Sequence, residues 1–138
     1  MILYADTSSL VKLYVEEFGS DAVRGSVNKA DMVATCRIAL PEMISALTRR
    51  YNNRQIEPAT FDLLVQAVRS DWRQIVALDV DEQLAADLVQ RHGLRGYDAV
   101  HLAAALKVAA KEQVNLLFSA YDQHLIQAAS DEGLAIAR

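Results

Sequence analysis

Ile2-Leu3-Tyr4-Ala5-Asp6-Thr7-Ser8, near the start of the sequence, carries two structural signals in succession. Consecutive apolar residues without a polar alternate read as a short strand buried on both faces. Asp6, Thr7 and Ser8 then offer the side chains that cap a helix. A doubly buried strand running straight into a capped helix begins a strand–helix–strand unit. Such units build parallel sheets whose faces are both covered by helices.

The alternation recurs downstream. Leu10, Val11, Tyr14 and Phe18 extend the first helical pattern, and a small amphipathic helix occupies Ser20–Asn28, weakened by Gly25. Met32–Thr35 reads as the second strand. Ile38, Met43, Ile44, Leu47 and Tyr51 mark a helix through about Asn52, with Pro41 confined to its first turn or so. From Pro58, the positions Phe61, Leu64, Val65, Val68, Trp72 and Ile75 stand three and four apart, the pattern of one long helix. Val76, Leu78 and Val80 alternate as a short strand. Leu84, Ala85, Leu88 and Val89 form a helix face closed by Gly93. The run from Asp98 to Leu106 is apolar nearly all round, which predicts a buried central helix. Asn115–Ser119 is a strand, Leu125, Ile126, Ala128 and Ala129 a last helix ended by Gly133, and Leu134–Ile136 a final strand. The expectation is one α/β domain over residues 1–138.

With 52% hydrophobic and 23% charged residues, the 138-residue chain has a globular balance and not that of a disordered segment. The single cysteine, Cys36, excludes a disulfide framework and a cysteine-rich zinc site, and fits a reducing, cytoplasmic compartment. Cys36 itself reads as a small core residue. Asp6 stands where the apolar core of a signal peptide would begin, and no uncharged apolar run approaches the ~18 residues of a membrane span. Neither is expected. Fourteen Lys and Arg against 18 Asp and Glu give a net charge of −4, an unpromising start for a nucleic-acid binder.

Ligands of open α/β sheets bind beyond the carboxyl ends of the strands. By that rule Asp6 follows the first strand, and Glu42 lies in the early turns of the helix after the second. Asp98 opens the buried helix, and Asp122 opens the helix after Asn115–Ser119. Carboxylates gathered in this way repel, by about 3 kcal/mol per pair at ~5 Å and an effective dielectric near 20. A hard divalent cation removes that cost and suits phosphoryl transfer, in which metal-bound water attacks phosphorus. The competing explanation is capping alone: all these acids lie at or near helix starts, and Ser119 precedes Asp122 at capping-box spacing. An unpaired charge heading the most buried helix would be expensive, which weighs against it.

Other chemistries fail sooner. The five glycines form no phosphate loop or dinucleotide fingerprint, and Ser8 and Ser9 lie in no nucleophile elbow. His92, His101 and His124 have no metal-binding spacing among themselves. His101, three residues from Asp98, reads as a core or hydrogen-bonded histidine near the acids. No lysine reads as facing them.

Beyond periodicity, Tyr4-Ala5-Asp6-Thr7-Ser8-Ser9-Leu10-Val11-Lys12-Leu13-Tyr14 resembles the opening of PIN domains, specifically the VapC toxins of bacterial toxin–antitoxin pairs. Tyr97-Asp98-Ala99-Val100-His101-Leu102-Ala103-Ala104-Ala105-Leu106 resembles that family's second hallmark. Pro41-Glu42, before a helix ending in Arg49-Arg50, and Asp122, followed by Leu125 and Ala128-Ala129, fit the other two positions. One position departs. Where the family often has Thr or Ser two residues before the last acid, this chain has Ala120, with Ser119 one further back.

The resemblance implies a PIN-like three-layer α/β/α sandwich with a mainly parallel central sheet of four to five strands. It implies a metal-dependent endoribonuclease toxin that hydrolyses tRNA, rRNA or mRNA by metal-activated water. Asp6 and Asp98 would be the core Mg²⁺ or Mn²⁺ ligands, Glu42 would ligate directly or through water, and Asp122 would complete the pocket or hold a second metal. Thr7, Ser8 and Ser119 would support them. A homodimer and a small antitoxin bound in an apolar groove are implied too, with Tyr14 and Phe18 lining the groove or packing in the core. Metal would neutralise the acids, and Arg37, Arg49, Arg50, Arg54 and Arg95 are candidates to hold RNA phosphates. A metal-dependent phosphatase or phospho-receiver domain would also cluster acids at strand ends, yet Asp6-Thr7-Ser8 has no second acid two residues on. A non-catalytic PIN-fold module that binds RNA or protein would be expected to lose acids, and here all are present.

Overall fold

The computed structural model describes residues 1–111 and 113–138. Its strands are β1 (Ile2–Ala5), β2 (Met32–Cys36), β3 (Val76–Leu78), β4 (Leu116–Ser119) and β5 (Ala135–Ile136). All pair in parallel, in one sheet ordered β3-β2-β1-β4-β5. The helices are α1 (Thr7–Val11), α2 (Ser20–Lys29), α3 (Ala39–Asn52), α4 (Pro58–Asp71), α5 (Glu82–His92), α6 (Gly96–Ala109) and α7 (Gln123–Asp131).

The central strand is β1, registered against β2 from Ile2↔Met32 and against β4 from Ile2↔Leu116. Side chains alternate across a strand, so the sheet feeds two cores. Tyr4, Ala34 and Cys36 join α5, α6 and α7 on one face. Ala5 and Val33 join α1, α3 and α4 on the other. That is the three-layer sandwich. In α6, Ala99, Leu102, Ala103 and Ala105 are fully buried, as a helix apolar nearly all round requires. Gly93 closes α5 at φ +67°, a left-handed conformation that favours glycine. Among the described residues no helix is long and apolar enough to cross a membrane.

Several expectations are corrected. The first helix stops at Val11 and does not continue to Phe18: the Lys12, Leu13 and Tyr14 amides bond three residues back in tight turns, Lys12 pairs with Glu17 (2.9 Å), and Gly19 at φ +90° leads into α2. Tyr14 packs partly buried against the α1–α3–α4 core and donates to Asp71 at 2.8 Å, whereas Phe18 is 90% exposed and belongs to no core. The long helix from Pro58 ends at Asp71, and Trp72–Gln74 tighten into a 3₁₀ turn. Trp72 and Ile75 still pack on the same core, so their spacing imitates a helix that has already ended. Val80 lies beyond β3, and Cys36 extends β2 by one residue. The N-cap of α6 is Arg95, which sets Asp98 inside the first turn and not at its head.

Candidate active site

With strands ordered β3-β2-β1-β4-β5, the chain leaves β1 and β4 toward opposite edges of the sheet. The crevice between their carboxyl ends is where such sheets bind ligands. Asp6 follows β1 directly and Asp122 follows β4 after two residues, while Glu42 and Asp98 lie in the first turns of α3 and α6. All four acids line one open cleft of about 820 Å³.

Asp6 is nearly buried, at 4% exposure. Its Oδ1 accepts from the Ser9 backbone N–H at 3.0 Å, capping α1, and from the Ser8 hydroxyl at 2.7 Å. Burial pushes the Asp6 carboxyl above its ordinary range, and the Ser8 hydrogen bond opposes that rise without cancelling it. Oδ2 has no hydrogen-bond partner among the described residues.

Glu42 is held by a buried polar chain. Its Oε1 accepts from the Thr7 hydroxyl at 2.7 Å and from His101 Nε2 at 2.9 Å, and Thr7 Oγ1 lies 3.2 Å from the same ring nitrogen. A carboxylate can only accept, so Nε2 carries a proton, and in the neutral ring Nδ1 accepts from the Tyr4 hydroxyl at 2.8 Å. Tyr4 is fixed in turn by stacking on Phe118 at 5.6 Å between centroids. Burial pushes the Glu42 carboxyl up, but the hydrogen bonds from His101 and Thr7 outweigh it and leave the group below its usual range. His101 is thus a hydrogen-bonded histidine, and its partner is a candidate site residue.

Arg95 bridges the remaining acids, Nε to Asp98 Oδ2 at 3.1 Å and Nη2 to Asp122 Oδ2 at 3.3 Å. Asp122 Oδ1 caps α7 by accepting from the Leu125 N–H at 3.0 Å. Ser119 is therefore not the cap of that helix. It ends β4, where its hydroxyl meets that of Ser9 at 2.8 Å and its carbonyl accepts from the Asp6 N–H at 3.0 Å. Ser119 does not line the cleft, and Ala120 is buried in the core of α5, α6 and α7. Thr7 and Ser8 do line it.

The arginine candidates divide. Arg49, Arg50 and Arg95 line the cleft. Arg37 instead pairs with Asp79 at 2.6 Å, and Arg54 sits exposed in a left-handed turn after α3 at φ +59°; neither reaches the cleft. Lys12 corrects the expectation that no lysine faces the acids: it is 8% exposed and lines the same cleft. Its ammonium pairs with Glu17 and stands 4.3 Å from the Tyr121 ring centre. Tyr121 in turn lies so close to Gly19 that a Cβ there would come within 2.7 Å of the ring. Sequence gave little warning of the clasp, because positions five apart are not helical neighbours.

Glu17 also accepts from Arg50, and although burial pushes its carboxyl up, the bonds from Lys12 and Arg50 bring it below its ordinary range. A carboxyl lowered by folding adds stability above its unfolded value of ~4.3, and that stability is lost as pH falls through the folded value. Glu17→Gln is expected to cost about 2 kcal/mol at neutral pH by leaving the Lys12 ammonium without a counter-charge, short of a fully buried pair because the Glu17 side chain is 27% exposed. Urea unfolding from pH 7 to 3 checks this: the gap between variant and parent should shrink toward the acid end.

Among the described residues no three His, Cys, Asp or Glu side chains are grouped so as to hold a metal ion as they stand. Glu42 is turned to Thr7 and His101, and Asp98 and Asp122 are turned to Arg95. The donors nevertheless fit a hard cation. All are oxygens, and Asp6 Oδ2, Asp98 Oδ1 and Glu42 Oε2 have no hydrogen-bond partner among the described residues. The Arg95 side chain is 77% exposed, so displacing it from between two acids strips away little packing.

Comparison with known proteins bears on the chain as a whole. Residues 3–131 match the PIN domain family. Ribonuclease VapC45 of Mycobacterium tuberculosis strain CDC 1551 / Oshkosh is 33% identical over 143 residues, covering 99% of this chain and 94% of that protein. Ribonuclease VapC49 of strain H37Rv of the same species gives the same figures. Among solved structures, FitAcB from Neisseria gonorrhoeae superimposes with a TM-score of 0.66 at 15% identity, covering all of this chain and 97% of that one. PAE2754 from Pyrobaculum aerophilum gives 0.65 at 18% identity, over 93% and 87% of the two chains. At those identities the structural likeness speaks for the fold alone.

Proposed function

The chain belongs to the PIN domain family, and from that premise we propose that it is a VapC-type endoribonuclease, the toxin of a toxin–antitoxin pair. The observation that carries the reading is the convergence of Asp6, Glu42, Asp98 and Asp122 on one cleft at the β1/β4 crevice. The relatives named as ribonucleases supply the reaction class. The same reading gives the protein an RNA substrate, a small antitoxin partner, a homodimeric state and a cytoplasmic setting.

We assign Asp6, Asp98 and Glu42 as the residues that would hold Mg²⁺ or Mn²⁺, with Asp122 completing the pocket. Such a cation would supply a bound water more acidic than bulk water and a counter-charge for the phosphoryl oxygens. The protein's own part is placement. Ser8 and the Ser9 amide fix one oxygen of Asp6, while Thr7 and His101 fix one oxygen of Glu42, so each acid presents its other oxygen in a set orientation. Lys12 is the feature a phospho-receiver reading would use, but its ammonium is committed to Glu17 and Tyr121.

The test is cleavage of RNA by the purified chain with Mn²⁺ and with excess EDTA, beside a chromogenic phosphate monoester. Cleavage should fall at least about a hundredfold in EDTA, and the ester should survive. Undiminished cleavage in EDTA would remove the metal from the mechanism. Ester hydrolysis with RNA left intact would replace the nuclease by a phosphatase.

A further inference from the structure

Most cations around the acidic cleft are engaged within the protein. Lys12 and Arg50 both pair with Glu17, and Arg95 pairs with Asp98 and Asp122. Arg49 is different: it is exposed and has no carboxylate partner among the described residues. It also stands on a boundary. A groove of about 510 Å³ beside α3 shares Pro41, Ser45 and Arg49 with the cleft and is also lined by Arg69 of α4, another exposed arginine without a carboxylate partner among the described residues. At the α6 side of the cleft, next to Asp98, Tyr97 lines the wall with 68% of its surface exposed, although its large ring would gain from burial.

We infer that an unpaired RNA strand crosses the cleft from Tyr97 to Arg69, one base stacked on the Tyr97 ring and its phosphates led out past Arg49 and Arg69. The inference rests on the ribonuclease reading and adds the strand's path and the residues that hold it. A flat exposed ring, with two exposed arginines along a groove also lined by Leu40, Pro41 and Ile44, offers both a stacking platform and phosphate partners, and stacking requires a base free of its own pairing partner. An acidic peptide would satisfy the arginines, but it would have to pass the carboxylates of the cleft and has no use for an aromatic platform. RNA carries both phosphate and base. Arg37, also exposed but paired with Asp79 and lining neither the cleft nor the groove, lies off the path.

The test measures binding of a fluorescein-labelled RNA single strand, and of the same strand in a duplex, across a salt series. The Asp6→Asn chain is used so that the RNA stays intact. Arg49→Ala and Arg69→Ala should each reduce the slope of log K against log salt by about 0.7, the value for one phosphate contact on a single strand. Tyr97→Ala should weaken single-strand binding roughly tenfold at unchanged slope and leave duplex binding alone, with Tyr97→Phe restoring it. Arg37→Ala should change nothing. Unchanged slopes in both arginine variants, or equal loss on single strand and duplex in Tyr97→Ala, would overturn the path. So would arginine variants that keep RNA binding but lose binding of a fluorescein-labelled acidic peptide measured in the same series. A parent chain that neither cuts nor binds RNA would instead overturn the ribonuclease reading itself.

Discussion

Asp6→Asn is expected to abolish RNA cleavage, by on the order of 10³-fold or more, in a protein as stable as its parent or more so. The two halves of that expectation have one cause. Asp6 is buried with its carboxyl raised above the ordinary range, so the ionised form is worse off in the folded chain than in the unfolded one. Removing the charge relieves that penalty at neutral pH. The cap is kept, because the asparagine oxygen accepts from the Ser9 N–H and the Ser8 hydroxyl as the carboxylate did, and Asn caps helices about as well as Asp. What is lost is the anionic oxygen facing the cleft. Circular dichroism, thermal unfolding and cleavage at saturating Mn²⁺ check both halves. Full cleavage by the folded variant would end the assignment of Asp6.

The acids were legible in sequence because each sits at or near a helix start, three of them after a strand and Asp98 after α5. Asp6 and Asp122 are true caps, so the capping and site explanations do not compete there: one oxygen of Asp6 caps α1 while the other is left over. The parallel sheet was legible because strands alternate with helices, and because β1 and nearly all of β4 and α6 are apolar, which a layered fold buries. What stayed hidden is what depends on chain direction over long separations. Ser119 meets Ser9 across 110 positions, and Arg95 reaches Asp122 across 27, contacts that no periodicity encodes. Lys12 read as part of a helix that in fact ends one residue earlier. Phe18 failed for a related reason: three-and-four spacing signals a shared face only while the helix lasts, and Gly19 follows a stretch that has already turned away.

His101→Ala is expected to lower cleavage by about 10–100-fold and to raise the Mn²⁺ needed for half-maximal activity, the usual result of removing the group that orients a metal-binding carboxylate. His101 is 2% exposed and joins Tyr4 of β1, Thr7 of α1 and Glu42 of α3 from its place on α6. Deleting the ring leaves the buried Tyr4 hydroxyl without that acceptor and opens a cavity, for a cost of about 2–4 kcal/mol. Stability loss alone would not implicate the site, so Tyr4→Phe is the companion. It removes only the hydroxyl that donates to Nδ1, at about 1–2 kcal/mol, and leaves the Nε2–H bond to Glu42 in place. Cleavage and urea unfolding on both variants, across a Mn²⁺ series, separate the roles. If His101 orients Glu42, His101→Ala loses Mn²⁺ sensitivity and rate together, while Tyr4→Phe is destabilised but keeps most of its activity. Wild-type rate at wild-type Mn²⁺ in a folded His101→Ala chain would reduce the histidine to a core hydrogen bond. Equal activity loss in both variants would make the tyrosine, through the ring's orientation, as necessary as the histidine that touches Glu42.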